Sequence, residues 1–197
     1  MNLRGAALAF VLLALSACVT FERAPVATLA CDPALAGQWR PIKDGPQDRV
    51  IAVAADCTVR WPEDDGDTYT TTLEGFALGA SRYLVFAPAV ADRMMGAGGD
   101  MLRNAPAGSV FMVRYRIDGD RATVWLADAD EAMRAPTKGQ AGNQARGRRL
   151  DASNVHLEGS RKAIAALLRA RGETLFDIDA NGRGALTLQR VAPETTP

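Results

Sequence analysis

The sequence predicts an α+β domain in which an antiparallel, curved sheet or partly closed barrel packs on one C-terminal amphipathic helix. Three observations predict it. Asp118-Gly119 stands between two runs of β-type residues, 109–117 and 122–127, and Asp-Gly in that setting is the strongest short-range hairpin signal. Short apolar-rich segments bounded by turn residues recur at 38–42, 49–54, 58–61, 68–73 and 82–87, as successive strands do. Finally, Ser160 precedes 161–171, where Ile164, Leu167, Leu168 and Arg171 fall at helical spacing and Gly172 follows. That is the pattern of a capped helix with one buried face.

Each element follows from its own residues. The Thr/Tyr-rich segment 68–73 reads as an edge or outward-facing strand, and 82–87 as a buried strand that stops at Pro88. In the hairpin, Phe111, Val113, Tyr115 and Ile117 alternate with Val110, Met112, Arg114 and Arg116. The period of two gives one apolar, aromatic face and one that becomes basic toward the turn. The predicted helix would fill the space over the aromatic face. Between Pro88 and Pro106, Met94, Met95, Met101 and Leu102 are interrupted by Gly96, Gly98 and Gly99. This reads as a short helix with a glycine-rich break that packs its methionines in the core, the alternative being a flap over a ligand. Residues 128–133 fit one helical turn, and 138–149 a solvated basic loop without apolar period. A strand at 155–157 points His156 away from Val155 and Leu157, toward solvent. A strand at 185–191 closes the domain before the polar tail 192–197.

The N-terminal segment has a different character. Arg4 supplies a positive charge, residues 6–15 form an apolar run of ten residues, and Leu15-Ser16-Ala17 leads up to Cys18. A membrane-spanning helix needs roughly twenty apolar residues, so this is the layout of a cleavable secretory signal. Leu15-Ser16-Ala17-Cys18 also resembles the lipobox of bacterial lipoproteins. The resemblance implies cleavage before Cys18, a thioether-linked diacylglycerol on its sulfur, and acylation, with palmitate expected, of its new amino group. Val19 in place of Asp implies an outer-membrane destination, facing the periplasm of the cell envelope. The expected organisation is a signal peptide at 1–17, a lipidated N-terminus and tether at 18–30, a single domain at 31–191 and the tail.

Without the signal, 180 residues remain, with 22 basic and 23 acidic side chains and a net charge of −1. Near-neutrality speaks against a nucleic-acid partner, which selects a basic excess. Apolar content of 48% is enough for a real core. Cys18 is consumed by the lipid, which leaves Cys31 and Cys57 as an even pair in an oxidising compartment. A disulfide is the default there, with two buried thiols or a metal pair as alternatives.

Reactive constellations are sparse. His156 is the single histidine, so multi-histidine metal centres are excluded. Ser109, Ser153 and Ser160 lie in no nucleophile-elbow context. Asp177, Asp179, Asn181 and Gly182 mimic half of a calcium-binding loop, but Leu188 stands where the bidentate Glu is required, so a turn is expected. Glu63, Asp64, Asp65 and Asp67 read as a solvated loop. No catalytic residue, metal site or cofactor is assigned.

Gly37-Gln38-Trp39, at the start of the first domain strand, is similar to the Gly-x-Trp motif of lipocalins. The resemblance implies a barrel whose base is capped by Trp39 with a late arginine, Arg190, against it. The Thr-Asp-Tyr motif of that family is absent. The favoured reading is a membrane-anchored envelope lipoprotein acting as a non-enzymatic interaction or structural module, with an envelope protein as its expected partner. The second is a lipocalin-like carrier of a small apolar ligand in a cavity lined by Trp39, Tyr83, Phe86, Phe111 and Tyr115. A hydrolase comes third.

Overall fold

The computed structural model describes residues 18–43, 49–63, 66–95, 102–135, 144–151, 154–176 and 185–191. The chain forms β1 (Cys18–Phe21), a 3-10 turn (Pro33–Leu35), β2 (Gly37–Lys43), β3 (Ile51–Val53), β4 (Thr58–Pro62) and β5 (Thr68–Thr72). It continues through β6 (Glu74–Leu78), β7 (Ser81–Phe86), α1 (Pro88–Met94), β8 (Val110–Asp118), β9 (Arg121–Leu126) and α2 (Ala129–Met133). β10 (Arg146–Arg149), β11 (Asn154–Glu158), α3 (Arg161–Leu175) and β12 (Ala185–Val191) complete it. This is an α+β fold built on one large, curved, unclosed sheet. Its path is β10-β11-β1-β8-β9-β12-β2-β3-β4-β5, with β7 added to β8 and β6 to β7. Every pair is antiparallel except β1 with β11.

Local chemistry explains most turns. Asp118 pairs with Arg121 across the β8–β9 hairpin, and Gly119 takes φ +59°, a left-handed conformation that costs glycine nothing. Ser160 caps α3, its Oγ accepting from the Ala163 amide at 3.2 Å. Ser160→Ala should lower stability by about 1 kcal/mol, read as a shift in the urea midpoint at unchanged m-value. The helix does not stop at Gly172, however. It runs on to Leu175, and a Cβ on Gly172 would lie 2.9 Å from the Tyr83 hydroxyl. This glycine therefore serves close approach between helix and sheet rather than helix termination.

Several expected boundaries change. Residues 18–21, expected in a tether, are a sheet strand that pairs Thr20 with Phe111 and, in parallel, Thr20 with His156. β9 leaves the edge of β8 at Leu126, opposite Val113, and β1 occupies the rest of that edge. Residues 146–149, expected within a loop, pair with β11; 138–143 lie outside the described residues. β6 was not expected as a strand at all. It follows β5 after the single residue Leu73.

Buried side chains fall into two clusters. One joins Val19, Phe21, Tyr83, Val85, Met112 and Trp125 to Ile164, Leu167, Leu168, Leu175 and Phe176 of the α3 region. The other gathers Trp39, Ile51, Val53, Val59, Leu84, Phe86, Phe111, Val113, Tyr115 and Leu188. The helix residues thus share a cluster with Met112, which is 0% exposed, and not with Phe111 and Tyr115 as their periodicity suggested. Both faces of β8 are buried, so alternation alone could not identify the face toward the helix.

Candidate functional site

A network of specific contacts is built around the 3-10 turn. Asp32-Pro33 starts it: the Asp32 Oδ1 accepts from the Ala34 amide at 3.0 Å, and proline suits the first helical position. Trp39, 2% exposed, donates its Nε1 proton to the Leu35 carbonyl at 2.7 Å. Arg190 lies directly opposite Trp39 in the β2–β12 register. Its guanidinium carbon sits 4.1 Å from the indole centroid, within range of a cation–π contact. Nη1 of Arg190 donates to the Ala36 carbonyl and Nη2 to the Ala34 carbonyl at 3.1 Å. Gly37 has φ +136°, and a Cβ there would collide with Arg190 Nη1. The glycine is required twice, for its backbone angle and for the space the guanidinium occupies.

A second clamp holds the same turn from the other side. The Asp32 Oδ2 accepts from the Tyr115 hydroxyl at 2.6 Å and from Arg82 at 2.7 Å, and Arg82 is paired with Tyr115 in the β7–β8 register. Burial pushes the Asp32 carboxyl up. The Tyr115 hydroxyl, the Ala34 amide and the Arg82 guanidinium overcome this and hold it below the usual range. Burial, followed by the hydrogen bond to Asp32, drives the Tyr115 phenol far above its ordinary value. The tyrosine therefore stays protonated and remains a donor. Next to Asp32, Cys31 forms a disulfide with Cys57 over a Cα–Cα distance of 5.7 Å. Cys57 has φ +62°, rare for a residue with a Cβ. Neither of the alternatives for the two cysteines, free thiols or a metal pair, survives.

The other single-residue candidates end in structural surroundings. Cys18, the expected lipid attachment point, opens β1 and is 7% exposed. Burial, then the charges of Asp92 and Asp151, push its thiol up to about 11. An unmodified Cys18 is thus neutral at physiological pH and no ready nucleophile. His156, expected to face solvent, is 2% exposed, and its Nδ1 lies 3.0 Å from Thr20 Oγ1. The insertion of β1 beside β11 covers it. Burial lowers its pKa, with Arg148 adding to the effect and Glu158 and Glu22 opposing it.

This depressed pKa has a sign that can be tested. Between the unfolded value of about 6.5 and the lower folded value, the unfolded chain binds a proton that the native state refuses. The stability contribution is complete above pH 6.5 and is lost as the pH falls below it. The urea midpoint should therefore drop between pH 7.5 and 5.5, and drop less in His156→Gln. An equal drop in both proteins would remove His156 as the cause.

Of the aromatic residues considered for a ligand cavity, Trp39, Phe86, Phe111 and Tyr115 share one cluster. Tyr83 instead stacks on Phe76 at 4.9 Å and meets Phe176 edge-on at 5.5 Å, in the helix-bearing cluster. Glu63 is engaged by Arg93, which lies 4.3 Å above the Tyr69 ring. Asp64, Asp65, Ser153, Lys138 and the loop at 177–182 lie outside the described residues. Leu188 is buried in β12. Arg146 and Arg148 pair with Glu158. Asp32 and Arg82 were missed by sequence reading; the Asp-Pro pair, a helix-start signal, was the available cue for the former. No family model matches the chain, and neither a curated protein nor a solved structure matches it.

Proposed function

We propose that this chain is a lipid-anchored envelope protein whose domain is a lipocalin-like barrel acting as a non-enzymatic interaction module. The observation that carries the barrel reading is the Arg190 guanidinium stacked on Trp39 behind Gly37, with the preceding 3-10 turn hydrogen-bonded to both side chains. It is the arrangement that the Gly-x-Trp resemblance implies. Chain continuity supports a partly closed barrel. The ladders run β5-β4-β3-β2-β12-β9-β8-β7-β6, and Leu73 joins β5 to β6 covalently. Eight strands, counting β5 and β6 as one bent strand, then curve around the cluster of Trp39 and Phe111 as a partly closed barrel, while the α3 residues share the other cluster with Met112.

The module reading rests on the chemistry of the two clamps. Asp32, Arg82, Tyr115 and Arg190 are spent on one another and on backbone carbonyls, and the Cys18 thiol is neutral, so the groups that could react hold the fold instead. The carrier is the second reading, favoured by the gathering of Trp39, Phe86, Phe111 and Tyr115 in one cluster. Copurification from detergent-solubilised envelope, read by native mass spectrometry, separates the two. A retained protein supports the module, and a stoichiometric apolar small molecule supports the carrier.

The anchor has its own test. Because Cys18 begins β1, its acyl chains would leave directly from the sheet, without a linker. More than one buried acyl chain makes attachment lasting, at roughly 0.8 kcal/mol per methylene. Cys18→Ser should abolish the mass increase of lipidation and move the protein from the detergent phase to the aqueous phase. Continued partitioning through the mature domain would show that the anchor lies elsewhere.

A further inference from the structure

The Cys31–Cys57 bridge meets solvent from one side only. Cys31 is exposed, whereas Cys57 is 0% exposed. The Cys31 Sγ lies 3.8 Å from the Ala55 carbonyl oxygen at the tip of the β3–β4 hairpin, where Ala54, Ala55 and Asp56 are themselves exposed. An incoming thiolate attacks one sulfur of a disulfide and needs access to it, and exposed disulfides are the exchangeable ones. Here the accessible end of the bridge is Cys31.

Each cysteine is also held by bonds other than the bridge. Ala30, before Cys31, exchanges two backbone hydrogen bonds of 2.9 Å with Gly75. Asp32, after it, is fixed by Tyr115 and Arg82. On the hairpin, the Cys57 amide donates to the Ala54 carbonyl at 2.9 Å, and the Cys57 carbonyl accepts from the Leu73 amide at 2.9 Å. The Thr58 amide donates to Asp56 Oδ1 at 2.9 Å. These bonds make a three-residue loop whose last residue, Cys57, takes the left-handed conformation such loops require. None of them breaks when the two sulfurs part. The Cα atoms then stay near their separation of 5.7 Å, from which a disulfide forms again without backbone movement.

We infer that Cys31 and Cys57 are a reversible thiol–disulfide exchange pair in the folded protein, Cys31 being the site that takes a small aliphatic thiol and Cys57 the resolving cysteine. The incoming thiolate bonds to Cys31 Sγ and the Sγ–Sγ bond breaks. Cys57 leaves with the electron pair and takes up a proton. The products are a mixed disulfide at Cys31 and a buried Cys57 thiol. In the reverse step the Cys57 thiolate attacks Cys31 Sγ, expels the small thiol and restores the bridge. A dithiol completes the reduction instead. Its second thiolate attacks its own sulfur in the mixed disulfide, it departs as a disulfide, and Cys31 receives the electron pair and a proton. The pair thus follows the thiol-to-disulfide ratio around the protein, and its opening frees the hairpin tip from the turn that carries Asp32. A bridge that only staples the fold opens when the domain unfolds. The inference is independent of an anchor at Cys18.

The test uses the folded full chain, incubated with reduced glutathione at mildly alkaline pH, quenched with N-ethylmaleimide and mapped by mass spectrometry. Glutathione should be recovered on Cys31 and maleimide on Cys57, about tenfold or more above the reverse arrangement, since access selects the sulfur attacked. The opening rate should rise in proportion to glutathione and stay nearly constant in urea below the unfolding transition. Oxidised glutathione should load Cys31 of Cys57→Ser to near completion, because no resolving thiol expels it. Cys57 of Cys31→Ser should react at least about tenfold more slowly, as a buried thiol does. Glutathione on Cys57 in the parent, equal loading rates in the two serine variants, or no opening until urea unfolds the domain would each overturn the inference.

Discussion

Trp39→Ala is expected to destabilise the domain by about 3–5 kcal/mol, the usual range for truncating a buried tryptophan. Three losses combine. The indole is 2% exposed and packs within the cluster that also holds Phe111 and Tyr115, so its removal leaves a cavity. Its Nε1 proton satisfies the Leu35 carbonyl. Its ring supports the Arg190 guanidinium, which otherwise loses a cation–π contact of about 0.5–2 kcal/mol. For a domain of this size the thermal midpoint should fall by roughly 10 °C. Arg190→Lys distinguishes the stack from simple burial. It keeps the charge but not the planar fork that reaches the Ala34 and Ala36 carbonyls, so it should cost a substantial fraction of the Trp39→Ala effect. A neutral outcome for Arg190→Lys would mean that the stack contributes nothing and that Trp39 acts through its bulk alone.

Opening the disulfide is the second large effect. Cys31 and Cys57 are 26 positions apart, and closing a loop of that length in the unfolded chain is worth about 3 kcal/mol. The bridge holds two further features in place: Cys57 at its positive φ, and the chain leading into Asp32. Once it is open, Asp32 must be kept against Tyr115 and Arg82 by those bonds alone. Cys57→Ala should therefore lower the unfolding free energy, read by urea denaturation, by an amount close to the loop-entropy value, and Asp32→Asn should cost more in that background than in the parent. Additive effects would show that the bridge and the carboxylate clamp work independently. Non-reducing peptide mapping should recover the Cys31 and Cys57 peptides linked.

The legible part of this fold is the part written in neighbouring residues. Asp118-Gly119 announces its hairpin because a tight turn is made by the two residues that form it. Ser160 announces α3 because an N-cap bonds to an amide three residues away. Segment 185–191 and most of the early strands are visible for the same reason, since β-type residues between turn formers need no distant partner to be recognised. Gly37-Gln38-Trp39 pointed to Arg190 only through resemblance. Nothing in the spacing of two residues 151 positions apart requires them to meet.

What the chain alone determined, then, is where several of the strands and one helix lie. Tertiary structure decided the rest. It decided that residues 18–21 enter the sheet between β8 and β11 and so bury Cys18 and His156, that the α3 residues share a core cluster with Met112 and not with Phe111, and that Asp32 joins Tyr115 and Arg82. The physical reason is the same in each case. Strand register and the choice of sheet face are set by the free energy of burying many side chains together, and side chains that become neighbours across strands carry no mark of it in the residues beside them.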